Sequence, residues 1–241
     1  MHKPLDTILL PPADAAGRIA ILTDARGTLL DHVLHLPAIR PYVHALVTDR
    51  DCQALDVARR HNLHTARFPL SDNRAFSDAL AQFLAEQSID YTLVFFSRLL
   101  TGRLLDAFRN RLFNLHNSLL PAFPGFGAVT NAFDYGVRFL GATFHVIDDS
   151  IDAGPVVCQT VVPVTEDHLA TRHRLFVHNT RMTAQLILWL AQRRVHVDRR
   201  RVTIDHAAFD ESLFAPALEH PDVRSLDFPL PAPERIAHAR A

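Results

Sequence analysis

Cysteine is almost missing from this 241-residue chain, which has only Cys52 and Cys158. A disulfide framework is therefore excluded, and a reducing, cytoplasmic compartment is expected. Lysine is scarcer still: Lys3 stands alone, so the basic charge is nearly all arginine, a compositional bias without functional content. No apolar run approaches the length that spans a bilayer, so no membrane partner is expected. The short apolar patch Thr7–Pro11 is followed by Asp14 and by no continuous apolar segment, so the amino terminus does not read as a secretory signal. An excess of either charge is also lacking. With 25 Lys+Arg against 26 Asp+Glu the formal net charge is -1, which argues against a nucleic-acid partner. There is no internal repeat. The first strand-to-helix turn lacks Gly-x-Gly-x-x-Gly, which disfavours a nicotinamide enzyme. The 15 histidines include no His-x-x-x-His pair beside an acid; His61 with His64, His168 with His173 and His173 with His178 are wrongly spaced, so no metal is expected in the chemistry.

What the chain does have is alternation. Apolar strand-length runs at 18–23, 42–48, 65–68, 91–96 and 112–116 are separated by helical stretches near 29–36, 51–62, 71–87 (with Ser71 as N-cap) and 101–109. This predicts an α/β fold with a mostly parallel, doubly wound, Rossmann-like sheet, whose ligands bind at the carboxyl ends of the strands. Two later strands, at 140–147 and 156–164, bracket a loop carrying Asp152, and a helix over 168–193 places Leu175, Met182, Leu186 and Leu190 on one face. Residues 1–17 read as a lead-in, 18–195 as one catalytic domain with its carboxy-terminal helix, and 196–241 as an extension or tail. Pro216, Pro221, Pro229, Pro231 and Pro233 predict an irregular tail that wraps the domain or serves a homodimer contact.

The chemistry lies between Asn114 and Gln159. Asn114 and His116, two apart at a strand end, project to the same side. They are followed by the apolar loop Leu119–Gly125, by Gly141-x-Thr143-x-His145 and by Asp152-x-Gly154-Pro155. An amide donor, an imidazole and a carboxylate suffice for acyl transfer with neither metal nor covalent intermediate. The amide can stabilise a developing oxyanion by roughly 3–4 kcal/mol. An imidazole, with an ordinary pKa of about 6.5, can move protons between nucleophile and leaving group, and a carboxylate can orient it. Alone, an Asn-x-His after a strand is ordinary loop chemistry, a lone Asp before Ala-Gly is a turn residue, and His145 is a sheet histidine. The four motifs in this order are far more specific.

The block resembles the 10-formyltetrahydrofolate-dependent formyltransferases, above all the glycinamide ribonucleotide transformylase branch. The likeness covers residues 18–195 and is strongest over 95–164. It implies Asn114, His116 and Asp152 as the catalytic trio, with Ser118 and His145 near the site. It further implies Ser97, Arg98, Leu99 and Leu100 on one side and Val146, Ile147, Asp148 and Asp149 on the other as walls of a slot reading the folate pterin, largely through backbone groups. The co-substrate would be 10-formyltetrahydrofolate and the partner a small-molecule amine.

Three departures bear on that amine. The family's Ser-Gly-x-Gly-Ser-Asn phosphate turn reads Thr23-Asp24-Ala25-Arg26-Gly27-Thr28-Leu29 here, so Asp24 brings a like charge, while Arg26, Gly27 and Thr28 could still hold a phosphate. His178 stands where the purine enzymes tend to carry a substrate-contacting glutamate, and Asn117 replaces a usual proline. These changes favour an amino sugar nucleotide or a hydroxyornithine-like amine, with phosphoribosylglycinamide of purine biosynthesis as the alternative. A formyltetrahydrofolate hydrolase and a non-catalytic folate-binding protein are further alternatives. The hydrolases usually carry an amino-terminal regulatory domain, for which residues 1–17 leave no room.

Overall fold

A computed structural model describes residues 16–69 and 71–230. Most of the lead-in, with Pro231 and Pro233 of the tail, lies outside the described residues. The chain runs β1 (Ile19–Thr23), α1 (Thr28–Leu34), β2 (Val43–Thr48), α2 (Ala54–Arg60), β3 (His64–Arg67), α3 (Asn73–Glu86), β4 (Tyr91–Phe95), α4 (Arg103–Ala107) and β5 (Leu112–His116). It continues through α5 (Ala128–Tyr135), β6 (Phe139–Val146), β7 (Val156–Pro163), α6 (His168–Ala191), β8 (Val195–Asp198), β9 (Arg201–Ile204), β10 (Phe214–Ala215) and α7 (Pro221–Ser225). One eight-stranded sheet has the order β10-β7-β6-β5-β4-β1-β2-β3. Strands β1 to β5 pair in parallel, whereas β6, β7 and β10 add antiparallel beyond β5. The β8–β9 hairpin stands apart.

Two-residue periodicity sorts the sheet's side chains onto its two faces. From β1, Ile19 and Ile21 join Leu46, Leu93, Phe113 and Phe144 under α1, α2 and α6, while Ala20 and Leu22 join Val47, Val94 and Leu112 under α3 and α4. Burial on both faces is why the central strands read as continuous apolar runs. Helix α3 is capped by Asp72, whose Oδ1 accepts from the Ala75 N–H at 2.7 Å, rather than by Ser71; Asp167 caps α6 in the same way at 2.9 Å.

The expected irregular tail departs most from its reading. Phe214 begins an edge strand on β7, and Phe214, Leu218 and Val223 are buried in the main core. Prolines there end elements without preventing them: Pro221 occupies the first turn of α7, where its missing N–H costs nothing. Beyond α7 the chain crosses α6 and α1. Arg181 donates to the Leu226 carbonyl at 2.6 Å, His173 to the Phe228 carbonyl at 2.9 Å, and the Phe228 ring stacks on His32 at 3.9 Å with its edge against Phe176.

Candidate active site

The carboxyl ends of the parallel strands β1, β4 and β5 lie side by side, and the sequence-selected residues occupy them. Asn114 and His116 project from β5 beside His145 of β6, to which Asn114 is the register partner. The Asn114 side-chain amide donates to His145 Nε2 at 3.1 Å, and His145 Nδ1 donates to the Val146 carbonyl at 3.0 Å. His145 is buried, and desolvation, the largest influence, lowers its pKa against the opposing effects of the Val146 carbonyl and Asp152. A neutral ring fits both of its hydrogen bonds.

Asp152 comes from the loop between β6 and β7 and joins these parts. Its Oδ2 lies 3.3 Å from His116 Nδ1 and accepts from the Gly125 N–H at 2.8 Å, while its Oδ1 lies 3.4 Å from His145 Nε2. His116 is itself buried and donates from Nε2 to the Phe123 carbonyl at 2.8 Å. Both of its nitrogens thus face oxygen, so a ring that gains a proton is satisfied on each side.

The motif glycines have steric reasons. A Cβ on Gly154 would stand 1.8 Å from the Val146 carbonyl oxygen, so only glycine lets the Asp152 loop fold back onto β6. A Cβ on Gly141 would meet Leu119 Cγ at 2.4 Å and the Thr160 carbonyl at 2.7 Å, closing the space that the apolar loop fills. Thr143 pins that loop by donating to the Ser118 carbonyl at 2.7 Å and accepting from the Leu120 N–H at 3.1 Å, and Gln159 adds a bond to the Leu120 carbonyl at 3.2 Å. Ser118 donates to the Ala122 carbonyl at 2.6 Å, a turn-closing role beside the site.

The proposed slot walls approach each other: Ile147 and Phe96 pack against the core cluster that contains Leu100, and Leu99 is 55% exposed at the rim. The Arg98 side chain does not line the slot. It reaches back to Asn73 Oδ1 at 3.0 Å, the Ser71 carbonyl at 2.8 Å and Asp49 at 3.4 Å, lying over the Phe76 ring. Its side chain anchors the 97–101 loop. Asp148 likewise turns inward to its own loop, accepting from the Ser150 N–H at 2.8 Å, and Asp149 is exposed.

The first turn differs from its reading. Asp24 neither points at the turn's amides nor caps α1; its Oδ2 accepts from Ser97 Oγ at 2.5 Å and lies 3.6 Å from Arg50. Arg50 also binds Asp49 at 2.7 and 2.9 Å, holding that carboxyl below its ordinary range. A cavity of about 300 Å³ opens beside the turn, lined by Thr23, Arg26, Gly27, Thr28, Phe95 and Phe176 among others. Gly27 caps α1 with a φ of +79°, and a Cβ there would meet Ala54 at 2.8 Å.

His178, read from the sequence as a substrate contact, packs against β7 and β10. Its Nδ1 donates to Thr160 Oγ1 at 2.9 Å, the Thr160 hydroxyl itself donating to the Leu213 carbonyl, and its ring stacks on Phe214 at 4.7 Å. Burial, then Arg181 and Arg174, push its pKa down to about 4, as befits a packed neutral histidine. The residue of α6 that turns to the site is Asn179, whose Nδ2 donates to Asn117 Oδ1 at 2.7 Å, next to His116. Its own Oδ1 is buried without a hydrogen-bond partner among the described residues. No sequence signal singled it out, because α6 is buried on most sides and periodicity does not distinguish its polar positions.

The formyl transferase family profile matches residues 39–183. The phosphoribosylglycinamide formyltransferase of Mycobacterium tuberculosis is 32% identical over 213 residues, covering 85% of this chain and 97% of that protein. The crystal structure of glycinamide ribonucleotide transformylase 1 from Symbiobacterium toebii superposes with a TM-score of 0.73 at 33% identity, covering 79% of this chain and 94% of that one. Formyltetrahydrofolate deformylase 2 of Arabidopsis thaliana is 28% identical over 170 residues, but these are 50% of its length.

Proposed function

Because the chain belongs to the formyl transferase family and is a 10-formyltetrahydrofolate-dependent formyltransferase, we propose that its acceptor is glycinamide ribonucleotide, the substrate of the purine pathway. The observation that carries this reading is the position of Asp24. Its charge is turned to Ser97 and countered by Arg50, so the like-charge objection to a phosphate at Gly27–Thr28 loses its basis. His178, the other ground for a different amine, is packed against Phe214. A cavity beside the open turn fits an acceptor entering two strands from Asn114. The near-complete coverage of the Mycobacterium tuberculosis transferase supports it further.

When bound, 10-formyltetrahydrofolate supplies the activated formyl carbon, its pterin between the 97–100 segment and 146–149. The residues of this chain then do three things. Asn114, held by His145, offers its second amide N–H to the carbonyl oxygen as negative charge develops there. The His116–Asp152 pair takes the proton that the attacking amine loses. The same pair returns it to the folate nitrogen as the carbon–nitrogen bond to the folate breaks. Within that pair Asp152 Oδ2 lies 3.3 Å from His116 Nδ1.

The test is a panel of amines with 10-formyltetrahydrofolate, read as release of tetrahydrofolate. Glycinamide ribonucleotide should turn over with kcat/KM above about 10⁴ M⁻¹s⁻¹, and water alone should release little formate. Preference for an amino sugar nucleotide or a hydroxyornithine-like amine would overturn the acceptor, and rapid formate release without amine would make the chain a hydrolase.

A further inference from the structure

Away from the site, three side chains from two helix ends converge on the surface. Asp31 lies in the first turn of the short helix α1, His35 caps the end of that helix, and His61 caps α2. One ligand atom from each lies within 4.8 Å of the other two. We propose that Asp31, His35 and His61 form a zinc site that ties the end of α1 to the end of α2.

The spacing suits zinc. Bonds of about 2.0–2.1 Å in a tetrahedron put neighbouring ligand atoms roughly 3.4 Å apart. His61 Nε2 is 3.0 Å from Asp31 Oδ1, and His35 Nδ1 is 3.7 Å from the same oxygen. The two rings meet edge to face with centroids 4.8 Å apart. Two imidazoles and one carboxylate match zinc's borderline softness, and the fourth position is left to water, since His35 is exposed. To bind the ion, His35 Nδ1 gives up its 2.7 Å bond to the Asp31 carbonyl and moves its proton to Nε2, which faces solvent. His61 is already positioned: Arg40 donates to the carbonyls of His61 and Asn62 and so fixes the end of α2. One group opposes the cation. Arg60 lies 3.1 Å from Asp31 Oδ2, where it neutralises part of the carboxylate charge and repels a dication. The site therefore makes a directional prediction that a casual histidine cluster would not.

The experiment is calorimetric titration of ZnCl₂ into the full-length chain, without chelating buffer or affinity tag. One ion per chain should bind with Kd below about 10 μM. Asp31→Asn and His35→Ala should each weaken this at least tenfold, while Arg60→Gln should tighten it severalfold. Melting curves in EDTA establish that the variants are folded. His35, exposed and beyond the last helical turn, is the safeguard should Asp31→Asn disturb α1. Absence of a stoichiometric site up to about 100 μM zinc, or unchanged binding in the Asp31 and His35 variants, would overturn the proposal. Neither result depends on the acceptor amine.

Discussion

Asp152 contacts His116, His145 and the Gly125 amide at once, so its charge and its shape can be separated by substitution. Asp152→Asn keeps the volume and one acceptor but cannot stabilise a protonated His116. Turnover should fall by about 10²–10⁴ with folate affinity nearly unchanged; a loss confined to folate binding would move Asp152 out of the proton chemistry. His178 allows a cleaner electrostatic test because it lies outside the site. Its folded pKa is lowered to about 4, below the ordinary 6.5 or so, so the unfolded chain takes up the proton first as pH falls. Its contribution to stability is complete above about pH 6.5 and is lost on acidification toward pH 4. In urea titrations the parent should lose stability over that window more steeply than His178→Gln, and parallel curves would refute the shift. At this scale the sequence singled out Asn114, His116 and Asp152, each carried by a local motif, and the fold brings them together. It did not reveal Gln159 or Asn179, or that Arg98 turns away, since each depends on partners brought together only by the fold.

Between elements, the decisive contacts are close approaches. Gly141→Ala forces a methyl against Leu119 and the Thr160 carbonyl, and overpacking of this kind costs about 1–3 kcal/mol. The same shift displaces the loop that holds Phe123 over His116, so denaturation midpoint and kcat should fall together; loss of stability alone would show the loop to be independent of the site. The central strands and α6 were legible because long apolar periodicities survive any tertiary context. β10 and α7 were not. Proline-rich composition suggests irregular chain, and only the finished domain supplies the core that buries Phe214, Leu218 and Val223.

Across the whole molecule, the segment after α7 fastens α1, whose first residues line the cavity proposed for the acceptor, to Phe176, which also lines it. Phe228→Ala should raise KM for the amine severalfold and leave KM for 10-formyltetrahydrofolate unaltered; equal changes in both would indicate general loosening. This arrangement also works in reverse. If the fastened segment strengthens amine binding by some factor, bound amine must by thermodynamic linkage strengthen the fastening by the same factor. The Phe228 amide, some two hundred positions along the chain from Gly27, then becomes a remote gauge of acceptor occupancy: its hydrogen exchange should slow as the cavity fills.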